Sequence, residues 1–214
     1  SDLTGRVAQR MKDPSDEVRI EAVRYFSFRN DRDVFRDAVG LISGGAPAVR
    51  DAVAEYLTTV KPVPFHEIIS LLNPAHLSRE EVSTVIRVAS GMGGEEAHRY
   101  VLGKTESGDT GVREQAVFAL STFQEKGDSA IFVRGLFDPH EGVRIASLIG
   151  VLEAPSVPAA MKIATPLSED PVLNVRVAIA LAAGAAGLSE LAPVLVLLRG
   201  DPSPRVVAAA LMGL

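Results

Sequence analysis

Four histidines, His66, His76, His98 and His140, have the best claim on chemistry in this chain. Two of them sit in His-Glu dipeptides, His66-Glu67 and His140-Glu141. An imidazole beside a carboxylate is a common start to a metal site. A helix, however, presents two ligands to one ion only when they stand about four residues apart. No histidine has that spacing to another histidine or to a suitable carboxylate cluster, so no metal and no cofactor is expected. Cysteine is absent, which removes thiolate chemistry and disulfides. Gly91-Met92-Gly93-Gly94 is glycine-rich, but it lacks a preceding strand and a following Lys-Ser/Thr. It reads as a helix end and a turn, not as a phosphate loop.

A second pattern is more regular. Asp13 and Arg19, Asp138 and Arg144, Asp170 and Arg176 are each six residues apart. A guanidinium is planar and multidentate, so such an arginine can tie two turns together. A row of arginines can equally bind phosphate or an acidic partner. The choice between these depends on the elements that carry the residues.

Composition narrows those elements. The chain has 214 residues, 47% hydrophobic and 23% charged, with a mean hydropathy of +0.19. That is enough apolar surface to exclude disorder. Aromatics make up only 5%, with no Trp, so the apolar content is mostly Ala, Val, Leu and Ile. Small aliphatic side chains suit closely packed helices better than stacked sheets. A net charge of −5 argues against a nucleic-acid partner, which needs a basic face. The apolar stretch from Val175 to Leu198 is broken by Arg176, Gly184, Gly187, Glu190 and Pro193, which excludes a membrane span there. Zero cysteines fit a reducing compartment, and a cytoplasmic location is expected. The opening Ser1-Asp2-Leu3-Thr4-Gly5 lacks a Met, which reads as a piece of a longer chain.

The Val-Arg dipeptide recurs at Val18-Arg19, Val49-Arg50, Val112-Arg113, Val143-Arg144 and Val175-Arg176. The spacings are 31, 63, 31 and 32, so one copy is missing from the long gap. Val82-Ser83 is the expected third copy, and Val206 completes seven units. Asp-Pro stands five residues before the valine at Asp13-Pro14, Asp138-Pro139, Asp170-Pro171 and Asp201-Pro202. Proline cannot continue the preceding helix, and Asp or Ser can cap the next. The second unit has Gly44-Gly45-Ala46-Pro47 instead. In the first, second and fourth units, small or apolar residues follow the valine four and eight positions on, along one helical face (Ala22 and Phe26, Val53 and Leu57, Ala116 and Leu120). A second apolar-periodic segment precedes each turn, so each unit reads as two antiparallel helices. The third unit also carries loop signals, Lys61-Pro62-Val63-Pro64 and Asn73-Pro74. Ser78 with Glu81 reads as a capping box.

Asp13-Pro14-Ser15-Asp16-Glu17-Val18-Arg19-Ile20-Glu21-Ala22 resembles the HEAT repeat, and the short period is similar to its bacterial phycobilisome-lyase-type variant. The fourth unit keeps Val112-Arg113-x-x-Ala116 but has Ser107-Gly108 in place of Asp-Pro. The resemblance covers residues 1–214 as one repeat domain. It implies an all-α, right-handed α-solenoid of about seven antiparallel helix pairs, with the arginines reaching the turn Asp of their own or the next unit. Three enzyme relatives of this fold can be weighed. Deoxyhypusine hydroxylase carries its iron-binding His-Glu after Val-Arg, where Ile145-Ala146 stands here. Alkylpurine DNA glycosylases rely on aromatics in a basic cleft, which an acidic chain without Trp does not offer. Bilin lyases share the repeat type, but no residue here points to bilin chemistry.

The valine of each unit anchors a helical wheel on which positions two and six residues later point away from the core. In HEAT-type stacks that is the concave face. These positions are Ile20, Arg24, Asp51, Glu55, Thr84, Val88, Glu114 and Phe118, then Ile145, Ile149, Val177, Leu181, Ala208 and Met212. The row changes from polar to apolar along the chain, which marks a binding surface. The expected function is a non-catalytic scaffold or adaptor that binds a protein partner. The contact residues are Arg24, Asp51, Glu55 and Arg87 at the polar end, and Phe118, Ile145, Ile149 and Leu181 at the apolar end. The alternative is a subunit of a bilin-lyase-like or other HEAT-type enzyme. The chain stops at Leu214 without a polar capping unit, so a neighbouring domain of the same chain packing there, or self-association through that apolar end, is also expected.

Overall fold

The second helix of each unit starts from an N-cap at a constant place. The N-caps are Ser15, Ala46, Ser78, Asp109, Val172 and Ser203. Their spacings of 31 and 32 residues show a strict period through most of the chain. This computed structural model describes residues 3–60, 63–123, 125–153, 162–187 and 189–214. Among them every element is helical, and the architecture is that of stacked helix pairs.

The chain divides into two compact units, residues 1–101 and 102–214. The first contains α1 (Leu3–Arg10), α2 (Asp16–Phe28), α3 (Phe35–Gly40), α4 (Pro47–Thr59), α5 (Phe65–Leu71) and α6 (Arg79–Met92). The boundary falls inside α7 (Glu95–Lys104). The second contains α8 (Thr110–Leu120), α9 (Ser129–Gly135), α10 (Glu141–Glu153), α11 (Leu173–Ala186), α12 (Ala192–Leu198) and α13 (Pro204–Met212). A 3-10 helix over Thr165–Glu169 stands before α11. The even-numbered helices of the first unit form one layer, with α4 between α2 and α6. In the second unit α8, α10, α11 and α13 pack in sequence, with α9 against α10 and α12 against α11.

Burial follows the repeat. Counting from the unit's valine, positions four, five and eight are buried in α2 (Ala22, Val23, Phe26), α4 (Val53, Ala54, Leu57) and α8 (Ala116, Val117, Leu120). The pattern holds in α10 and α11. The aliphatic core keeps facing helices close. Gly150 of α10 is an extreme case, because a Cβ there would lie 2.2 Å from the Phe132 ring of α9.

The third unit corrects the expected register by one residue. Counted from Glu81, positions four, five and eight (Val85, Ile86 and Ala89) are buried, whereas counted from Val82 they include the exposed Arg87, so Glu81, not Val82, occupies the valine site. Thr84 and Val88, expected to face outward, are buried, and Arg87 takes the outward place. The capping box is present: Ser78 Oγ accepts the Glu81 N–H, and Glu81 accepts the Ser78 N–H at 2.7 Å. Val63, Pro64, Asn73 and Pro74 lie between helices as expected, while Lys61 and Pro62 fall outside the described residues. Gly93 and Gly94 end α6 with φ of 69° and 85°, a left-handed turn that glycine adopts without strain.

Candidate functional site

The Asp-Pro aspartates do not cap helices. Each sits two residues before the N-cap, and its Oδ1 accepts the N-cap's own N–H: Ser15 to Asp13, His140 to Asp138, Val172 to Asp170 and Ser203 to Asp201, at 2.8–3.0 Å. This Asx turn shapes the chain as it enters the second helix. In the fourth unit the Ser107 hydroxyl does the same for Asp109, at 3.2 Å.

The arginines bind in two directions. Nη1 of Arg144 donates to the Asp138 and Pro139 carbonyls of its own turn, at 2.9 and 3.1 Å. Nη2 donates to Asp170 of the next turn at 2.9 Å. Arg113 and Arg176 repeat this arrangement with Asp138 and Asp201. The result is a continuous ladder within the second unit. Burial works to raise the Asp138 carboxyl, but the Arg113 guanidinium and the His140 N–H hold it below the usual aspartate range. The Arg176 guanidinium holds Asp201 down likewise. These three arginines are committed to the stack, so they are not a phosphate-binding row.

The first unit is wired differently. Arg19 finds no next-turn aspartate and pairs with Asp16 of its own helix. Arg50 donates to the Gly45 carbonyl. Glu81 instead links the second and third repeats, accepting the Gly44 N–H at 2.6 Å. That bond is the main reason its carboxyl lies below the usual glutamate range.

The histidines do not converge. His66 approaches Glu96 at 3.0 Å while Glu67 pairs with Arg32, so the dipeptide's two side chains serve different neighbours. His140 lies 3.7 Å from Glu114. Among the described residues no group of three or more His, Asp or Glu is placed to hold a metal ion. A cleft of about 520 Å³ in the second unit is lined by Arg113, Arg134, Phe137 and Asp138, among others. Its charges are paired, Arg113 with Asp138 and Arg134 with Glu106 at 2.6 Å. It offers charge pairs and an exposed aromatic ring, but no nucleophile held by a base.

The outward row is the remaining candidate. In the first unit Arg24, Asp51, Glu55 and Arg87 are all exposed. Arg87 pairs with Asp51 at 2.6 Å, joining α6 to α4, and Arg24 pairs with Glu21 at 2.9 Å. In the second unit Phe118 is 52% exposed, Ile149 37%, Leu181 48% and Met212 81%. They occupy the same register position on α8, α10, α11 and α13. Ile145, one turn earlier, is half-buried. The repeat pattern located this row, but it missed Phe28 and Phe137, which are exposed off the second-helix wheel.

No family model matches the chain, and no curated protein matches it. Solved structures do. The X-ray structure of YibA from Escherichia coli aligns over 98% of this chain and 91% of its own, with a TM-score of 0.55 and 17% identity. The chain has a helical-repeat fold. An engineered protein aligns over 100% of this chain and 95% of its own, with a TM-score of 0.48 and 13% identity. A designed armadillo repeat protein in complex with a (KR)4 peptide aligns over 100% and 98%, with a TM-score of 0.49 and 14% identity. Among the described residues no helix is long and apolar enough to cross a membrane.

Proposed function

We propose that this chain is a non-catalytic protein-interaction module, a scaffold or adaptor built from short HEAT-type repeats of the phycobilisome-lyase kind. Its partner docks on the outward face of the second helices. The observation that supports this reading is the row Phe118, Ile149, Leu181 and Met212, four exposed apolar side chains in one register on successive helices. Single exposed apolar residues are ordinary, whereas an aligned row is the mark of a docking face. Neighbouring helix axes lie about 8–10 Å apart, so the row runs roughly 25–30 Å. A partner helix of about 18 residues matches that length. Its contact face would be apolar and uncharged, since the outward positions of the last three repeats carry no ionisable group. The polar row of the first unit, Arg24, Asp51, Glu55 and Arg87, would select partners by charge. The repeat type and the absence of cysteine support a bacterial, cytoplasmic setting.

The test is capture of a partner by the parent chain and by an Ile149→Asp/Leu181→Asp variant, after circular dichroism has matched their folding. Loss of the partner with the variant is the expected result. If the variant binds like the parent, or if binding is to nucleic acid and strongly salt-dependent, this reading fails.

A further inference from the structure

The cleft of about 520 Å³ in the second unit lies between two consecutive turns, and both turns depart from the repeat pattern. At the fourth turn Ser107 stands where an Asp-Pro turn has its aspartate. At the fifth turn Phe137 precedes the aspartate, where the other Asp-Pro turns have Lys12, Glu169 and Gly200. Phe137 is 61% exposed, so packing does not account for an aromatic ring at this place. Together with Ile131 it gives the cleft an apolar side, and the buried Val117 and Val143 lie beneath. The four charges that line the cleft balance, Arg113 and Arg134 against Glu106 and Asp138. Arg113 and Asp138 are rungs of the ladder, with both side chains only 16% exposed. Arg134 and Glu106 pair at 2.6 Å with side chains 59% and 66% exposed. So exposed a pair contributes little to the fold, and its two groups can exchange each other for a ligand.

We propose that this cleft binds a small zwitterion with an apolar body, the chemistry of a free amino acid with a large apolar side chain. Such a molecule carries its ammonium and its carboxylate on one carbon, so two protein groups that stand side by side can answer both. Its carboxylate takes the planar fork of Arg134, and its ammonium takes the Glu106 carboxylate. Its side chain lies against Phe137 and Ile131. Insertion turns one ion pair into two and leaves no charge unanswered. A simple anion would leave Glu106 unpaired in the same cleft as Asp138, and a simple cation would leave Arg134 unpaired in the same cleft as Arg113. The cleft falls within the range of small-molecule sites, about 300–1,000 Å³. A ligand of about a dozen non-hydrogen atoms in so open a site binds with a Kd of about a millimolar. Phe118, Ile149 and Leu181 do not line this cleft, so the proposal stands apart from docking on the outward row.

Titration of the isotope-labelled 214-residue chain with L-phenylalanine, followed by nuclear magnetic resonance, tests this. The expected result is saturable amide shifts within residues 105–107 and 134–138, with a Kd of about a millimolar. Arg134→Gln and Glu106→Gln should each weaken binding at least about tenfold. Both side chains are mostly exposed, so these variants should fold like the parent. Phenylpropionate lacks the ammonium and phenethylamine lacks the carboxylate, and each should bind at least about tenfold more weakly than phenylalanine. Glycine has both charges but no apolar body, and it should not bind. The absence of saturable shifts up to about ten times that Kd overturns the proposal. So does either analogue binding as tightly as phenylalanine, and so do shifts that survive both charge variants or fall on the outward row.

Discussion

Arg144 and Asp170 stand 2.9 Å apart, and both side chains are at most 10% exposed. They belong to consecutive repeats and stand 26 residues apart in sequence, so this one ion pair ties a helix of one repeat to the turn of the next. Removing one partner from such a pair leaves the other buried and uncompensated.

The first prediction concerns that asymmetry. Asp170→Ala should cost roughly 3 kcal/mol, because it strands the Arg144 guanidinium and removes the acceptor of the Val172 N–H. Replacing both residues with apolar ones, Arg144→Met with Asp170→Ala, should cost less than the single change. Urea denaturation of the parent, both single variants and the double variant gives the comparison. Additive losses would mean that the pair contributes nothing as a pair.

A substitution toward the repeat's own pattern should do harm at Glu81. The equivalent position is valine in the six other repeats, yet Glu81 holds the Ser78 and Gly44 N–H groups. Glu81→Val should lower stability by about 1–2 kcal/mol, the cost of a lost cap and an unanswered donor. A melting temperature that rises in this variant would contradict the role given to Glu81.

Gly150→Ala should also run against expectation. Alanine in a helix interior normally stabilises by about 1 kcal/mol over glycine. Here the added methyl meets the Phe132 ring, which is itself buried against α10. The variant should therefore be less stable, and Gly150→Ala combined with Phe132→Leu should recover part of the loss. Thermal melts of the single and double variants decide it.

Acid should weaken the fold through a small set of carboxylates. Glu81, Asp138 and Asp201 all have folded pKa values below their ordinary ones. A carboxyl depressed in this way stabilises the fold above its unfolded pKa, and that contribution is lost as pH falls through the folded pKa. The ordinary values are 4.5 for Glu81 and 3.8 for the aspartates. Stability should stay level from neutral pH down to about that range and then drop steeply. Denaturant midpoints at stepped pH, for the parent and for Glu81→Gln, measure it. A variant whose acid limb matches the parent's would remove Glu81 from the explanation.

The period, the helix pairs and the outward row were legible because Asp-Pro and Val-Arg are local signals that mark helix starts. The third repeat was legible only to within one residue. It has no arginine to mark the register, and Val82 beside Glu81 offers the wrong apolar anchor. The capping box at Ser78 pointed to the correct start, since the other described N-caps also stand three residues before the anchor. The Arg–Asp ladder was visible as a motif, but not which repeat answers each arginine, because that depends on packing between segments about 25 residues apart. Glu81 meeting Gly44 left no sequence signal, since a backbone N–H carries no residue identity.

The ladder also gives the repeats an order. The fourth repeat sends out Arg113 but holds Ser107-Gly108 where an incoming arginine would need a carboxylate. The fifth and sixth both receive and send. The seventh receives through Asp201 and has Val207 in place of a sender. Units of the middle kind can be duplicated without leaving any group unanswered, whereas a first or last unit moved inward would break the chain of pairs. The same four repeats thus behave as a sentence with a fixed beginning and end, in which only the interior words can be repeated.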